Sequence, residues 1–252
     1  MANVKIVLIG GGSYGWGPSV VGNILSNEFL DGSEVVLHDI DAEALDMVYR
    51  LALRYAEATG AATRFSRTTV LQEALDGADY VVVTISTGGL DAMRADLEIP
   101  QNYGICQTVG DTVGPGGALR TLRNVPVFLQ LGRAMERHCP AAWMLNCSNP
   151  LSALTRVVNR ETGIRAIGLC HGVLGQVGFF ARFFGRQLED CAYVNSGIDH
   201  CAWLTDLVID GRQVEDLLLE KGVEAWLALP SEEAECDEVF GALYPSRCGL
   251  VL

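Results

Sequence analysis

The stretch VKIVLIGGGSYGWGP, residues 4–18, decides the fold. Its first part, Val4–Ile9, is an apolar run typical of a buried strand, and it opens directly into glycines. A helix is predicted from about Pro18, because proline is well tolerated in the first turn of a helix. A strand, a glycine-rich turn and a helix in this order indicate the first unit of a parallel α/β fold.

The rest of the chain repeats this alternation. Strands are predicted at residues 34–38, 63–66, 79–85, 142–145 and 164–169, and helices at 41–58, 71–75 and 117–138, the last interrupted at Pro126. Continuous apolar strands that alternate with helices indicate a parallel sheet covered on both faces. We therefore predict a Rossmann-type doubly wound parallel sheet over residues 1–190. Residues 191–252 are predicted to form a partial α+β lobe with strands at 193–196 and 202–209 and a helix at 214–221.

Polar or glycine-rich residues follow five of the predicted strands. They are GGGS at 10–13, Asp39, STGG at 86–89, NCSNP at 146–150 and CHG at 170–172. Ligands of doubly wound sheets bind outside the carboxyl ends of the strands. These five stretches are therefore predicted to contribute to one site.

The composition argues against several kinds of partner. The formal net charge of −13 disfavours nucleic acid, because phosphate binding requires basic patches. The sequence shows neither a secretory signal nor a run of roughly 18 apolar residues that could span a membrane. The eight cysteines include no CxxC pair, which favours reduced thiols. We therefore expect a cytoplasmic protein that binds neither nucleic acid nor membrane.

The glycine turn predicts a nucleotide site. Gly10, Gly12 and Gly15 have the GxGxxG spacing, in which backbone approaches a pyrophosphate at the N-terminus of a helix. Asp39 ends the second strand, where a carboxylate binds an adenosine ribose and repels a 2′-phosphate, which favours NAD over NADP. A tight turn and an ordinary helix cap are the alternatives for these residues. The predicted cofactor-binding residues of this part are Gly10, Gly11, Gly12, Ser13 and Asp39.

Five stretches, taken in order along the chain, carry a resemblance to a known family. They are Gly10–Ser13, QTVGDTVGPGG at 107–117 with Arg120 and RNVP at 123–126, NCSNP at 146–150, Cys170-His171, and GIDHCAW at 197–203. Together they resemble glycoside hydrolase family 4, whose members are NAD- and divalent-metal-dependent glycosidases. The resemblance runs through nearly the whole chain.

The resemblance implies that Cys170 and His200 bind the metal, which in this family is generally Mn²⁺. A thiolate and an imidazole by themselves favour zinc or iron, so the choice of manganese comes from the resemblance. The two side chains are then expected to lie close enough to share one ion. The alternatives are a packing role for Cys170 and a core or capping role for His200. Asp199 stands where the family usually has asparagine.

Further residue roles follow from the same resemblance. Thr87 and Asn146 are expected beside the cofactor, with Asn146 near the nicotinamide ribose. Asn149 is expected to contact the substrate, although turn formation before Pro150 is an alternative for both asparagines. Arg94, in a stretch that resembles the family's substrate loop, is expected to pair with an anionic group of the substrate. The catalytic candidates are Tyr244, as the base that removes the C2 proton, and His171, a substrate-facing neighbour of Cys170.

The implied reaction is hydrolysis of a glycoside by a redox route. NAD⁺ accepts a hydride from C3 of the sugar, a base removes the acidified C2 proton with the metal stabilising the negative charge, the aglycone leaves, water adds, and the hydride returns. The CHG form at 170–172 is closest to the branch that acts on uronides, such as α-galacturonides or α-glucuronides. Two other hypotheses remain: a hydroxy-acid dehydrogenase of the lactate/malate type, and an inactive NAD-binding protein.

Family members run well past the length of this chain, so a truncated substrate lobe over residues 191–252 is expected. Apolar side chains of that lobe, among them Trp203, Leu204, Trp226 and Leu227, would then be partly exposed. Exposed apolar surface tends to recruit a partner, so a homo-oligomer is predicted.

Overall fold

The computed structural model describes residues 3–107 and 111–221. The strands in this part of the chain are β1 (Lys5–Ile9), β2 (Glu34–His38), β3 (Arg64–Thr68), β4 (Tyr80–Val83), β5 (Trp143–Asn146), β6 (Arg165–Gly168), β7 (Cys191–Ile198), β8 (Cys201–Ile209) and β9 (Arg212–Gln213). The α-helices are α1 (Trp16–Leu25), α2 (Ala42–Thr59), α3 (Leu71–Leu75), α4 (Gly89–Gln101), α5 (Gly114–His138), α6 (Leu151–Glu161), α7 (Gly172–Phe183) and α8 (Val214–Lys221). None of these helices has the length and apolar character needed to cross a bilayer.

Strands β1 to β6 form one parallel sheet in the order β3-β2-β1-β4-β5-β6. The chain builds outward from β1 first to one side and then to the other, so the winding direction reverses between β1 and β4. This is the topology in which ligands bind outside the strand ends at the reversal. The predicted Rossmann-type doubly wound sheet is confirmed.

Successive residues of β1 enter different halves of the core, because side chains alternate between the two faces of a sheet. Val7 and Ile9 pack in the cluster that contains Phe128 of α5. Ile6 and Leu8 pack in the other cluster, with apolar residues of α1 and α2. Burial of each such side chain contributes about 1.5–3 kcal/mol to the stability of the fold. The glycine turn therefore follows a strand that is packed on both faces of the sheet.

Helix α5 runs without a break through Pro126, so the predicted interruption there is wrong. Proline removes one backbone hydrogen bond from a helix interior. In α5 that loss is local, because Phe128, Leu131 and Met135 beyond it are buried against the sheet and hold the helix in place. The helix begins at Gly114, three residues before the predicted start.

Three helices were not predicted. Helix α4 occupies the stretch around Arg94 that was expected to be a loop, and α6 and α7 follow β5 and β6. In α6 the buried residues Leu151, Leu154 and Val158 have helical spacing, so the signal was present in the sequence.

The described residues divide into two compact units, one of residues 3–99 and 111–169 and the other of residues 100–107 and 170–221. The second unit contains the antiparallel sheet β7-β8-β9 with α7 and α8. Its core joins Val177 of α7 to Leu207 and Ile209 of β8 and to Leu218 of α8. Because α7 packs on β8, the units separate between Leu169 and Cys170, earlier than the predicted boundary at residue 190.

Candidate nucleotide and metal sites

The turn after β1 brings backbone atoms unusually close together. Gly10 has φ +89°, in the left-handed region that favours glycine, and a Cβ there would lie 2.7 Å from the carbonyl oxygen of Thr84. A Cβ at Gly11 would lie 2.9 Å from Leu37 Cβ, and one at Gly12 would lie 3.0 Å from Asp39 Oδ2. Gly10 is therefore favoured by both conformation and space, whereas at Gly11 and Gly12 the close neighbouring atoms leave little room for a side chain.

The amides of this turn are already hydrogen-bonded. Gly10 and Gly11 donate to the carbonyl oxygen of His38 at 3.0 and 2.9 Å, and Ser13 donates to the oxygen of Gly10 at 3.0 Å. Gly12 donates to Asp39 Oδ2 at 2.9 Å. The loop was expected to approach a pyrophosphate. These four N–H groups already have acceptors within the protein, so the pyrophosphate contact stays a prediction.

Asp39 closes the turn from the end of β2. Its Oδ2 accepts from Gly12, and its Oδ1 accepts from the backbone N–H of Asp41 at 3.1 Å. Each carboxylate oxygen has two acceptor positions, so ribose hydroxyls can still donate to this side chain. Asp39 is not the cap of the following helix, since Asp41 accepts from Glu43 and Ala44 at 3.0 and 3.1 Å in that role.

His38, immediately before Asp39, is a buried titratable side chain. Its Nδ1 lies 3.0 Å from the carbonyl oxygen of Thr68. A carbonyl only accepts, so Nδ1 carries the proton. Burial lowers the pKa of His38 from its ordinary value, against the opposing effects of the Thr68 hydrogen bond and the Asp39 charge.

The segment after β4 is held by Asn124, a fully buried residue of α5. Asn124 Oδ1 accepts from the backbone N–H of Thr87 at 3.2 Å, and its Nδ2 donates to the carbonyl oxygen of Asn149 at 3.4 Å. One side chain thus joins two predicted site residues. The sequence analysis included Asn124 in the RNVP motif but assigned it no role.

Arg123 supports the same segment through a partly buried ion pair. Its Nε donates to the carbonyl oxygen of Thr87 at 2.9 Å. Its guanidinium forms a bidentate ion pair with the Asp96 carboxylate: Nη1 donates to Oδ1 at 3.3 Å, and Nη2 donates to Oδ2. The Asp96 side chain is 4% exposed. This pair was also missed, because nothing in sequence spacing relates residues 96 and 123.

Asn146 has a structural function in this fold. It is fully buried, its Nδ2 donates to Thr155 Oγ1 at 3.1 Å, and its Oδ1 accepts from the N–H of Ser148 at 2.8 Å. These bonds match the turn-forming alternative, and the ribose contact stays a prediction. The neighbouring Asn149–Pro150 peptide bond is cis.

The predicted metal ligands Cys170 and His200 meet in the second unit. Cys170 Sγ lies 3.5 Å from His200 Nε2, which confirms their predicted proximity. The N–H of Gly172, at the start of α7, donates to the same sulfur at 3.3 Å and orients it. Ligand bonds of about 2.0–2.3 Å place two ligand atoms of one ion about 3–4 Å apart, so this separation fits a shared ion.

His200 is presented by a two-residue hairpin turn. Ile198 of β7 pairs with Cys201 of β8, which leaves Asp199 and His200 as the turn. His200 has φ +54°, a conformation that few non-glycine residues adopt and that often marks a functional site. The turn also brings Asp199 to the pair, so that ligand atoms of Cys170, Asp199 and His200 all lie within 4.8 Å of one another.

The remaining predicted residues are placed as follows. Arg94 is exposed on α4, and His171 is exposed at the start of α7. Their substrate and catalytic roles stay predictions. Tyr244, Trp226 and Leu227 lie outside the described residues.

The sequence of this chain is similar to those of known proteins. The sequence profile of "Family 4 glycosyl hydrolase" matches residues 5–185. An α-galacturonidase of Bacillus subtilis is 38% identical over 210 residues, covering 80% of this chain and 46% of that protein. An α-galactosidase of the same organism is 38% identical over 215 residues, covering 83% of this chain and 49% of that protein.

A solved structure is similar to this chain in fold. The 6-phospho-β-glucosidase of Thermotoga maritima, crystallised with manganese, NAD⁺ and glucose-6-phosphate, superposes with a TM-score of 0.76 at 27% identity, over 91% of this chain and 54% of that one. The chain spans about half the length of these relatives. The profile match and the two 38% identities show that the chain belongs to the family 4 glycosyl hydrolases.

Proposed function

We propose that this protein is a glycosidase that cleaves an α-galacturonide with NAD and Mn²⁺ as cofactors. The observation that carries the proposal is the 3.5 Å approach of Cys170 Sγ to His200 Nε2 in a chain that also has a glycine turn closed by Asp39. A plain hydroxy-acid dehydrogenase has no use for a thiolate and an imidazole that converge in this way.

The residues present fit both cofactors. The glycine turn has little room for side chains and would let a dinucleotide approach the backbone, and Asp39 would accept hydrogen bonds from the ribose hydroxyls. Cys170 and His200 would hold the cation with open positions for sugar hydroxyls. When bound, NAD⁺ supplies a hydride acceptor and the divalent cation supplies a Lewis acid.

The rest of the chemistry falls to side chains of the chain itself. Tyr244 is the proposed base for the C2 proton, and His171, next to a metal ligand, is the second candidate for proton transfer. Asn149 is the proposed hydrogen-bonding partner of the sugar, on a segment that Asn124 holds in place.

The proposed substrate rests on two observations, one for the galacto configuration of the sugar and one for its carboxylate. The α-galacturonidase and the α-galactosidase are equally similar to this chain, and their names share the galacto configuration. The exposed guanidinium of Arg94 on α4 is the proposed partner of the substrate carboxylate, because arginine pairs with carboxylates through two hydrogen bonds. Arg94→Gln should then raise KM for a galacturonide while leaving KM for the matching galactoside unchanged. An α-glucuronide is the other uronide to include.

A glycoside panel tests the function. We expect cleavage of an aryl α-galacturonide that requires NAD⁺, Mn²⁺ and a thiol reductant, each omitted in turn, without net formation of NADH. Accumulation of NADH with a hydroxy acid would favour the dehydrogenase hypothesis instead. NAD binding without turnover of any glycoside would favour the inactive NAD-binding protein.

Two broader predictions belong with this proposal. Nucleotide binding was predicted for residues 1–190 and substrate and metal binding for residues 191–252; because the second unit begins at Cys170, we propose nucleotide binding for the first unit and metal binding for the second. Self-association is proposed because Trp203 is 63% exposed and Val194 and Ile198 are about half exposed on β7. Light scattering that shows a monomer at micromolar concentration would contradict it.

A further inference from the structure

The carboxylate of Asp199 is in an unusual position for a surface turn. Its side chain is only 5% exposed, although the residue is one of the two central residues of the hairpin turn. Among the described residues, Asp199 Oδ2 has no hydrogen-bond partner. A buried carboxylate oxygen without a donor is unfavourable, and such groups are normally paired or coordinate a metal.

The other carboxylate oxygen faces the predicted ligands. Asp199 Oδ1 lies 3.7 Å from His200 Nε2, the same nitrogen that lies 3.5 Å from Cys170 Sγ. Sulfur, nitrogen and carboxylate oxygen thus converge on one small volume, within 4.8 Å of one another. Two of the separations, 3.5 and 3.7 Å, fall in the range of about 3–4 Å expected of ligand atoms that share one ion, and the remaining one is no longer than 4.8 Å.

We propose that Asp199 is a third protein ligand of the metal, which makes the site a Cys170/Asp199/His200 site. The inference rests on the proposed function, which assigns the metal to Cys170 and His200 alone. It also goes beyond the resemblance, since asparagine usually stands at position 199 in the family.

The third ligand changes the chemistry of the site. A thiolate and a carboxylate together balance the two positive charges of the ion, whereas a thiolate with a neutral amide leaves one uncompensated. Carboxylate oxygen is a hard ligand that suits manganese, while thiolate and imidazole alone suit zinc. Asp199 therefore shifts the preference of the site toward Mn²⁺.

Metal binding by the full chain tests this inference without an activity assay. The metal-free protein is titrated with Mn²⁺ and separately with Zn²⁺ by calorimetry, and Asp199→Asn is compared with the native chain. We expect Asp199→Asn to weaken Mn²⁺ binding by about 10- to 100-fold or more, because loss of a residue that only supports a metal ligand already costs that much. Zn²⁺ binding should weaken less. Asp206→Asn, which removes an exposed carboxylate from β8 of the same hairpin, should bind both metals like the native chain.

Thermal unfolding gives a second measurement. Without metal, Asp199→Asn should be at least as stable as the native chain, because it removes a buried charge. Added Mn²⁺ should raise Tm more for the native chain than for Asp199→Asn, since a ligand stabilises in proportion to its affinity for the folded state.

The outcomes separate this inference from the proposed function. If Cys170→Ser loses Mn²⁺ binding but Asp199→Asn retains it within about twofold, Asp199 is not a ligand and the proposed function stands. If Cys170→Ser also retains native Mn²⁺ affinity, the metal site of the proposed function fails. If Asp199→Asn binds Mn²⁺ more weakly and its metal-induced rise in Tm shrinks, the third ligand is supported.

Discussion

Replacing Asp39 with alanine should weaken NAD binding while leaving the fold intact. The side chain accepts from Gly12 N–H at 2.9 Å and from Asp41 N–H at 3.1 Å, and it has acceptor positions left for the ribose. Loss of hydrogen bonds to a charged group removes about 1.5–3 kcal/mol, which corresponds to roughly a 10- to 150-fold rise in Kd.

Two further variants make the prediction specific. Asp39→Asn keeps an acceptor for Gly12 N–H but removes the charge, so it should lose less NAD affinity than Asp39→Ala and should gain affinity for NADP. Asp41→Ala is the matched control, because Asp41 caps α2 through Glu43 and Ala44. It should lower the free energy of unfolding by about 1 kcal/mol without changing the NAD affinity.

Calorimetry with NAD and NADP on these three variants, combined with urea unfolding, measures both quantities. An unchanged NAD affinity in Asp39→Ala would refute the ribose assignment and leave Asp39 as a residue that only closes the turn. A loss of NAD affinity in Asp41→Ala equal to that in Asp39→Ala would show that the effect comes from a displaced α2 rather than from the ribose contact.

Three more predictions concern stability. Gly10→Ala should lower the free energy of unfolding by about 1–3 kcal/mol in urea titrations, because φ is +89° and the new Cβ would meet the carbonyl oxygen of Thr84 just after β4. Gly22→Ala in α1 is the matched control. Its Cβ would have no atom from outside its own helix within 4 Å, so the free energy of unfolding should rise by about 0.5–1 kcal/mol. Asp96→Ala should lower it by about 1.5–3 kcal/mol, the range for losing hydrogen bonds between charged groups, because Arg123 is 28% exposed and water can partly replace its partner; a change below about 0.5 kcal/mol would contradict this. Burial lowers the pKa of His38 in the folded state, so the unfolded chain binds this proton more readily and stability should fall as the pH drops below about 6.5; His38→Gln should flatten that dependence in unfolding experiments between pH 8 and 5.

Local patterns in the sequence were enough to predict the glycine turn after β1 and the position of Asp39 beside it. The apolar run Val4–Ile9 followed by glycines specified a buried strand and a tight turn, and Asp39 lies against that turn as expected of the end of a neighbouring parallel strand. Such predictions succeed because strand, turn and helix signals act over a few residues, and because parallel strands place their carboxyl ends at one edge.

Packing between distant segments decided what the sequence pattern missed. Proline in α5 suggested a break, yet the burial of Phe128 and Met135 keeps the helix whole. Asn124 and the Asp96–Arg123 pair hold the segment after β4, and neither has a spacing signal because their partners lie 27 to 37 positions away.

The sequence by itself determined a doubly wound sheet, a glycine turn after its first strand and a set of candidate metal ligands. Only the tertiary structure showed how the predicted pair is brought together and that a third side chain, Asp199, lies beside it. Cys170 and His200 are 30 residues apart, and α7 packed on β8 brings them to 3.5 Å. The same hairpin buries Asp199, whose side chain is 5% exposed, beside them. The sequence states that residue 199 is an aspartate. Its side chain becomes a candidate ligand only because the residues packed around it exclude water, and that packing is set by the tertiary structure.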